Sequence, residues 1–267
     1  SGGMNIADKY YFGLTFGFPY IRYNQSSTYN EQNLTEPERD LDEFSVREQL
    51  ETRGGGFNIK VGAIARLMPW LRLGAAYHSP TWYNNLNDSW NTRMNAYYTN
   101  GDSFSAQSPY GDYTYDIQTP WKAMGSIAVL FGTRGLISAD YEYIDYSNAK
   151  LKPAIEFSNA NNIISNSFTS ANNFRLGTEW NLGLMQVRGG YAHFGSPFES
   201  GVNDGKVQSY SAGLGFRSKE FFLDAAFVYS VSDQDYYLYG TDLIETMPAK
   251  NTYSAYNLLF TFGYRFE

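Results

Sequence analysis

Over the last sixteen residues, Thr252 to Glu267, apolar and polar positions alternate with period two. Tyr256, Leu258, Phe260, Phe262, Tyr264 and Phe266 fall on one side, and Ala255, Asn257, Thr261, Gly263 and Arg265 on the other. Period two marks a β-strand, whose successive side chains point to opposite faces. A strand with one aromatic face and one small or polar face fits a transmembrane β-barrel, which meets lipid outside and a polar lumen inside.

The pattern recurs upstream. From Tyr10 to Tyr23, Tyr10, Phe12, Leu14, Phe16 and Phe18 share a face opposite Tyr11, Gly13, Thr15 and Gly17. Residues 24–42 are polar and acidic and read as a long exposed loop. From Glu43 to Arg66 only the second half alternates, with Phe57, Ile59, Val61, Ala63 and Ala65 opposite Asn58, Lys60, Gly62, Ile64 and Arg66. The first half is too polar for lipid and is expected to project beyond the bilayer, with Gly54–Gly56 as a bulge or bend. A return strand carries Leu71, Leu73, Ala75 and Tyr77 opposite Arg72, Gly74, Ala76 and His78, until Ser79 and Pro80 interrupt it; strand-like residues resume from Ser89 to Tyr98. Residues 99–111 read as a loop, Asp112–Phe131 and Leu136–Tyr146 as strands, and Ala154–Ile164 as a short helix. Further strands centre on Phe174–Trp180, Met185–Tyr191, Tyr210–Phe216 and Phe221–Tyr229.

Connections alternate in length. Short ones lie near 67–70, 132–135, 181–183 and 217–220; long ones lie near 24–42, 99–111, 147–168, 195–206 and 232–251. Short turns on one rim and long loops on the other, with about ten strands and both chain ends on the short-turn rim, is outer-membrane topology. The expected fold is all-β, an antiparallel transmembrane barrel forming a single domain over residues 1–267.

Composition narrows the class. The chain holds 24 Tyr, 19 Phe and 5 Trp, residues suited to a membrane interface. Mean hydropathy is only −0.44, as in barrels, where every second strand residue meets lipid. No run is long and apolar enough for a transmembrane helix. A net charge of −7 argues against nucleic acid as a partner. Without cysteine, disulfides and thiolate metal sites are excluded. Neither His78 nor His193 has metal-ligand spacing, and no nucleophile–base pair or phosphate loop stands out. No catalytic residue, metal site or cofactor is therefore expected, and the protein reads as a non-enzyme. The start, Ser1 to Lys9, shows no signal peptide.

The faces opposite the aromatics carry Lys60, Arg66, Arg72, Lys122, Asp140, Glu142, Arg175, Glu179, Arg188, Asp224 and Arg265. An Arg or Lys facing mid-bilayer lipid costs about 2–4 kcal/mol, so these are assigned to the lumen. Neighbouring strands can pair Lys122 with Asp140 or Glu142, and Arg175 or Arg188 with Glu179. A structural salt-bridge lattice and a solute-guiding lumen both fit.

The stretch Gly56–Pro80, with its Leu-x-Leu-Gly-x-x-Tyr-x-Ser-Pro pattern from Leu71, resembles FadL/TodX-type outer-membrane transporters. So do Thr119–Phe131, which opens on Thr-Pro-Trp, and the ending Gly263–Phe266; Glu267 after the final aromatic departs from that pattern. The resemblance implies a Gram-negative outer-membrane barrel of fourteen strands plugged by an N-terminal hatch. Such proteins pass long-chain fatty acids or aromatic hydrocarbons without an energy source. This chain then corresponds to the C-terminal portion, about ten strands without the hatch, with outer-membrane lipid or detergent and a hydrophobic small molecule as partners and a monomeric state.

A hydrophobic solute needs an apolar rim groove with a few polar anchors. Rim candidates are Trp82, Tyr83, Trp90, Tyr97, Phe104, Phe157, Phe168, Tyr236 and Tyr237, with Arg93 as an anchor for a carboxylate. The same residues also suit an interfacial girdle. A porin-like channel, a surface barrel or adhesin binding partners through Tyr-rich loops, and a soluble all-β binder stand as alternatives.

Overall fold

The computed structural model describes residues 1–34, 40–236 and 247–265. They form one antiparallel sheet of sixteen strands. In chain order these are β1 (Gly2–Ile6), β2 (Tyr10–Gly17), β3 (Tyr20–Gln32), β4 (Leu41–Met68), β5 (Leu71–His78), β6 (Trp82–Tyr98), β7 (Ser103–Gln107) and β8 (Gly111–Gln118). There follow β9 (Lys122–Leu130), β10 (Gly135–Asp145), β11 (Lys150–Lys152), helix α1 (Ser158–Ser167), β12 (Ser170–Leu182), β13 (Met185–Phe194), β14 (Val207–Arg217), β15 (Phe221–Tyr236) and β16 (Ala249–Tyr264). Among the described residues the sheet is open: β1 pairs with β2, β16 pairs with β15, and no pairing joins β1 to β16.

The expected count of about ten strands is corrected to sixteen. Prolines account for much of the excess. Pro19, Pro80 and Pro120 lie between β2 and β3, β5 and β6, and β8 and β9, so each pair is one arm divided where a ladder N–H is missing. The segment read as an exposed loop over 24–42 is largely strand. β3 runs on to Gln32 in unbroken register with β4, from Tyr20 against Gly55 to Gln32 against Glu43. Polar strand residues there satisfy the ladder with backbone groups and need no apolar alternation. Within 99–111, β7 pairs back on β6. The helix lies at Ser158–Ser167, several residues beyond Ala154–Ile164, because Pro153 and Phe157 close a turn first.

Strand β4 spans 28 residues, about 90 Å of chain at ~3.3 Å per residue. A tilted membrane strand needs only about 9–11 residues. The stretch from Phe57 to Met68 is that long; Leu41 to Gly56 extends past it, flanked by β3 and β6. Gly54–Gly56 does hold an irregularity. Register slips between Arg53 and Gly55 because β6 carries an extra residue there, with Asn85 at φ 55° and its N–H donated to Asp116 Oδ1 at 2.9 Å. Leu86, 1 % exposed, packs where a side chain on Gly54 would stand; a Cβ there would lie 2.3 Å from Leu86 Cδ2.

The sheet has almost no apolar core. Among the described residues only Leu86, Ala96 and Ala171 are buried hydrophobics, while Tyr256, Leu258, Phe260 and Phe262 are each more than two-thirds exposed. Folded soluble domains bury much of their apolar surface, so these side chains belong to a non-aqueous environment. Exposed and half-buried rings form two belts on this face. One runs through Phe57 and Trp82, Tyr77, Trp121 and Tyr143, then Tyr191, Tyr210, Tyr229 and Tyr256. The other runs through Phe131 and Trp180, then Phe216, Phe221 and Phe262. Tyr229 and Phe221 are eight residues apart on β15, about 20 Å of height for a strand tilted ~40°.

Candidate ligand-binding site

Register partners in antiparallel strands share a face, so the ladders sort the polar face into rows. One row reads Thr15, Lys60, His78, Lys122 and Ile144 across β2, β4, β5, β9 and β10. The next reads Gly13, Gly62, Ala76, Met124, Glu142 and Asn173. Then come Tyr11, Ile64, Gly74, Ser126, Asp140 and Arg175. Arg66 and Arg72 face each other in the row after.

Two of the cavities on this face adjoin these rows. One, of about 470 Å³, is lined by Gly62, Ile64, Gly74, Ala76 and Met124 together with Tyr11, Ser126 and Asp140. The other, of about 320 Å³, lies one row up, where Lys60, His78 and Lys122 meet Thr81, Thr119 and Tyr146. Its wall is the proline level. Pro80 and Pro120 offer no N–H there, and the hydroxyl before each proline accepts a neighbouring strand's N–H instead. Ser79 Oγ accepts from Ile59 N at 2.9 Å, and Thr119 Oγ1 accepts from Thr81 N at 2.8 Å. Ser108, before Pro109, repeats the device with Thr92 N at 2.9 Å.

Charge on the polar face is partly paired. Lys122 Nζ and Arg175 Nη2 each lie 3.3 Å from Glu142, which is 4 % exposed and also accepts from Asn173 Nδ2 at 2.9 Å. Arg188 bonds Glu179 at 2.6 Å, Asp224 at 2.8 Å and Gln186 at 2.7 Å, while Arg217 reaches the other Asp224 oxygen at 2.9 Å. Of the pairings foreseen, Lys122 chooses Glu142 over Asp140, and Arg188 rather than Arg175 takes Glu179. Asn173 and Arg217 were missed. Parity from Arg175 pointed to Asn173; Arg217 was hidden by its reading as a turn. Arg66 binds Asp8 O and Tyr11 Oη, and Arg72 Nε is buried with no hydrogen-bond partner. Arg265, past the end of β16, donates its backbone N–H to Glu220 O.

The rim candidates do not converge. Tyr83 lies over Gly56, Trp90 over Gly111, and Phe157 on Tyr113 and Tyr115, all on the face of Thr52 and Leu86. Trp82 stacks on Phe57 in the aromatic belt on the opposite face, and Arg93 and Tyr97 also turn that way, opposite Arg47 and Glu43. Phe104 meets Tyr98, Phe168 meets Phe198, and Tyr236 ends β15. Tyr237 and Phe266 lie outside the described residues. The bulge at Asn85 is one reason: it reverses which β6 side chains face inward, and plain alternation does not reveal it.

Among the described residues no group of three or more His, Cys, Asp or Glu could hold a metal. The arrangement offers binding surface and fixed charge.

The fold is that of outer-membrane hydrocarbon channels. Over 99 % of its length the chain superposes on the P. putida toluene transporter TodX with TM-score 0.63 at 12 % identity, covering 67 % of that protein. It also matches the CymD monoaromatic hydrocarbon channel (TM-score 0.57, 14 % identity, 86 % of this chain, 66 % of that one). A Pseudomonas aeruginosa FadL homologue gives TM-score 0.50 at 13 % identity over 97 % of this chain and 75 % of that one. The chain thus spans about two thirds of the length of the first two. No protein-family model and no curated protein matches it.

Proposed function

We propose that this chain is the wall of an outer-membrane barrel that passes hydrophobic small molecules without an energy source, and that it is not an enzyme. The observation that carries the reading is the pairing of an exposed apolar face, bounded by two aromatic belts, with an opposite face of paired charges and cavities. Lipid accounts for the first, and a solvated or ligand-filled lumen for the second. The belt spacing of about 20 Å plus the width of the rings approaches the ~25 Å apolar band of such barrels. The shared fold with TodX and CymD supports it, as proteins named for toluene and monoaromatic hydrocarbons.

Lys60, Arg66, Arg72, Lys122, Asp140, Glu142, Arg175, Glu179, Arg188, Asp224 and Arg265 line the lumen in this reading. Tyr83, Trp90 and Phe157 are the rim candidates left on the inner side. The protein should partition into the outer membrane, and cells carrying it should take up toluene or a fatty acid faster than cells lacking it. Large, stable open currents in a planar bilayer would instead make it a porin.

A further inference from the structure

We infer that the outward face of the tall extension is a docking surface for the phosphorylated glycolipid of the outer leaflet, whose phosphates sit between paired arginines. This surface lies outside the wall, so its role does not depend on what the lumen carries. β4 runs upward from Phe57 in unbroken register with β3, so Arg53, Glu51, Gln49 and Arg47 share the lipid-side face of Phe57. At ~3.3 Å per residue and a tilt of ~40°, Arg53 stands about 10 Å above the aromatic belt and Arg47 about 25 Å. The headgroup layer begins directly outside such a belt, and a glycolipid leaflet continues it outward through its sugars.

Register sets like charges face to face here. Arg22 lies opposite Arg53, and Arg47 opposite Arg93. Opposed Cα atoms in antiparallel strands are about 4.5–5.5 Å apart, and like charges so placed repel. Glu51 relieves the lower pair, lying 3.3 Å from Arg22 and 2.6 Å from Arg53. The upper pair has no acid partner: Arg47 reaches only Ser26 Oγ at 3.4 Å, and the Arg93 guanidinium has no hydrogen bond or ion pair among the described residues. Their neighbours across the ladders, Thr28 on β3 and Gln107 on β7, are neutral. The other described acids of this face, Glu43 and Asp112, stand about 13 Å or more away along the strands. A chain of net charge −7 thus gathers four arginines around one carboxylate, Glu51, on an outward face. A guanidinium meets a phosphate through two parallel N–H···O bonds, and two opposed guanidiniums enclose it. The regular end leans the other way: above Tyr229 and Tyr256 the same face carries Asp233, Asp235 and Lys250 among the described residues. The phosphates are therefore drawn to the extension.

The test is equilibrium binding, by the detergent-purified protein, of short-core lipopolysaccharide and of the same lipid stripped of its phosphates. The phosphorylated lipid should bind about tenfold more tightly, the gain expected of one charge-assisted contact. Arg47→Gln with Arg93→Gln should remove most of that preference and leave the stripped lipid within about twofold of wild type. Both side chains are exposed and lack an acid partner, so the substitutions relieve repulsion and should keep the heat-modifiable gel band of the folded wall. Arg93→Gln alone should lower the preference about threefold. Equal binding of the two lipids, or an unchanged preference in either variant, overturns the docking surface. Displacement of the lipid by inorganic phosphate at equal concentration would make this a free-anion site and overturns it as well. Toluene binding should be the same in wild type and variants; its loss would put these arginines on the lumen side and overturn their placement.

Discussion

The two ends of this sheet are built on different rules. From β12 to β16, each strand pairs in unbroken register with the next, from Phe174 opposite His193 to Tyr236 opposite Ala249. Rings stack across these strands at one level, Tyr191 to Tyr210 to Tyr229 to Tyr256. From β2 to β9, by contrast, three arms break at prolines and β6 bulges at Asn85. The regular end turns nearly every ladder bond and side chain to making a two-faced wall. The broken end gives up ladder bonds at one level, replaces them with hydroxyls, and gains a cavity and a tall extension. The lesson is that the three proline breaks, at Pro19, Pro80 and Pro120, fall beside the row of Lys60, His78 and Lys122.

Several substitutions would break or sharpen that contrast. The largest effect is expected where the two ends meet. Glu142→Leu leaves Lys122, Arg175 and Asn173 facing one another without their shared acceptor and should cost about 3–5 kcal/mol. Urea titration of the refolded barrel, read by heat-modifiable gel mobility, measures it; a loss below about 1 kcal/mol would show that the cluster is solvated. Second, Arg188→Ala in the regular end should cost about 1–3 kcal/mol, less because its partners are partly exposed.

Third, Ser79→Ala and Thr119→Ala each free a ladder N–H and should cost about 1–2 kcal/mol apiece. Ser211→Ala, on a strand whose ladder is intact, should be nearly neutral. Equal effects at all three positions would remove the distinction between the broken and regular ends. Next, Tyr229→Ala should lose about 1 kcal/mol beyond its lipid contact through two stacked neighbours. The smallest effect concerns the extension. The Arg53 guanidinium, with Arg22 behind it, holds the Glu51 carboxyl below its ordinary range. A depressed carboxyl stabilises the fold above its unfolded-state value, and that contribution fades as pH falls through the folded-state value. Arg53→Gln should raise the Glu51 midpoint in an NMR titration; an unchanged midpoint would deny the pair any role.

Much of this was legible in the chain. Alternation of Tyr256, Leu258, Phe260 and Phe262 against Asn257 and Thr261 is fixed by strand geometry, so the two faces of β16 could be read directly. The charges of the opposite face followed, because Lys60, Arg175 and Arg188 sit in phase with small residues rather than with rings. β3 was misread as a loop because a strand extending past the apolar band has no reason to alternate in hydropathy. The rim set scattered because one inserted residue reverses parity, as Trp82 and Trp90 show: eight residues apart, they pair with Phe57 on one face and Leu50 on the other.

The sequence by itself determined that the chain is a two-faced antiparallel sheet with lipid-suited rings on one side and charge on the other, because period-two patterning acts locally. Only the tertiary structure decided which charges meet, that Glu142 is the buried hub, and that Lys60, His78 and Lys122 form one row. Those outcomes depend on inter-strand register, and register is set by turns, bulges and proline breaks acting between segments far apart in the chain.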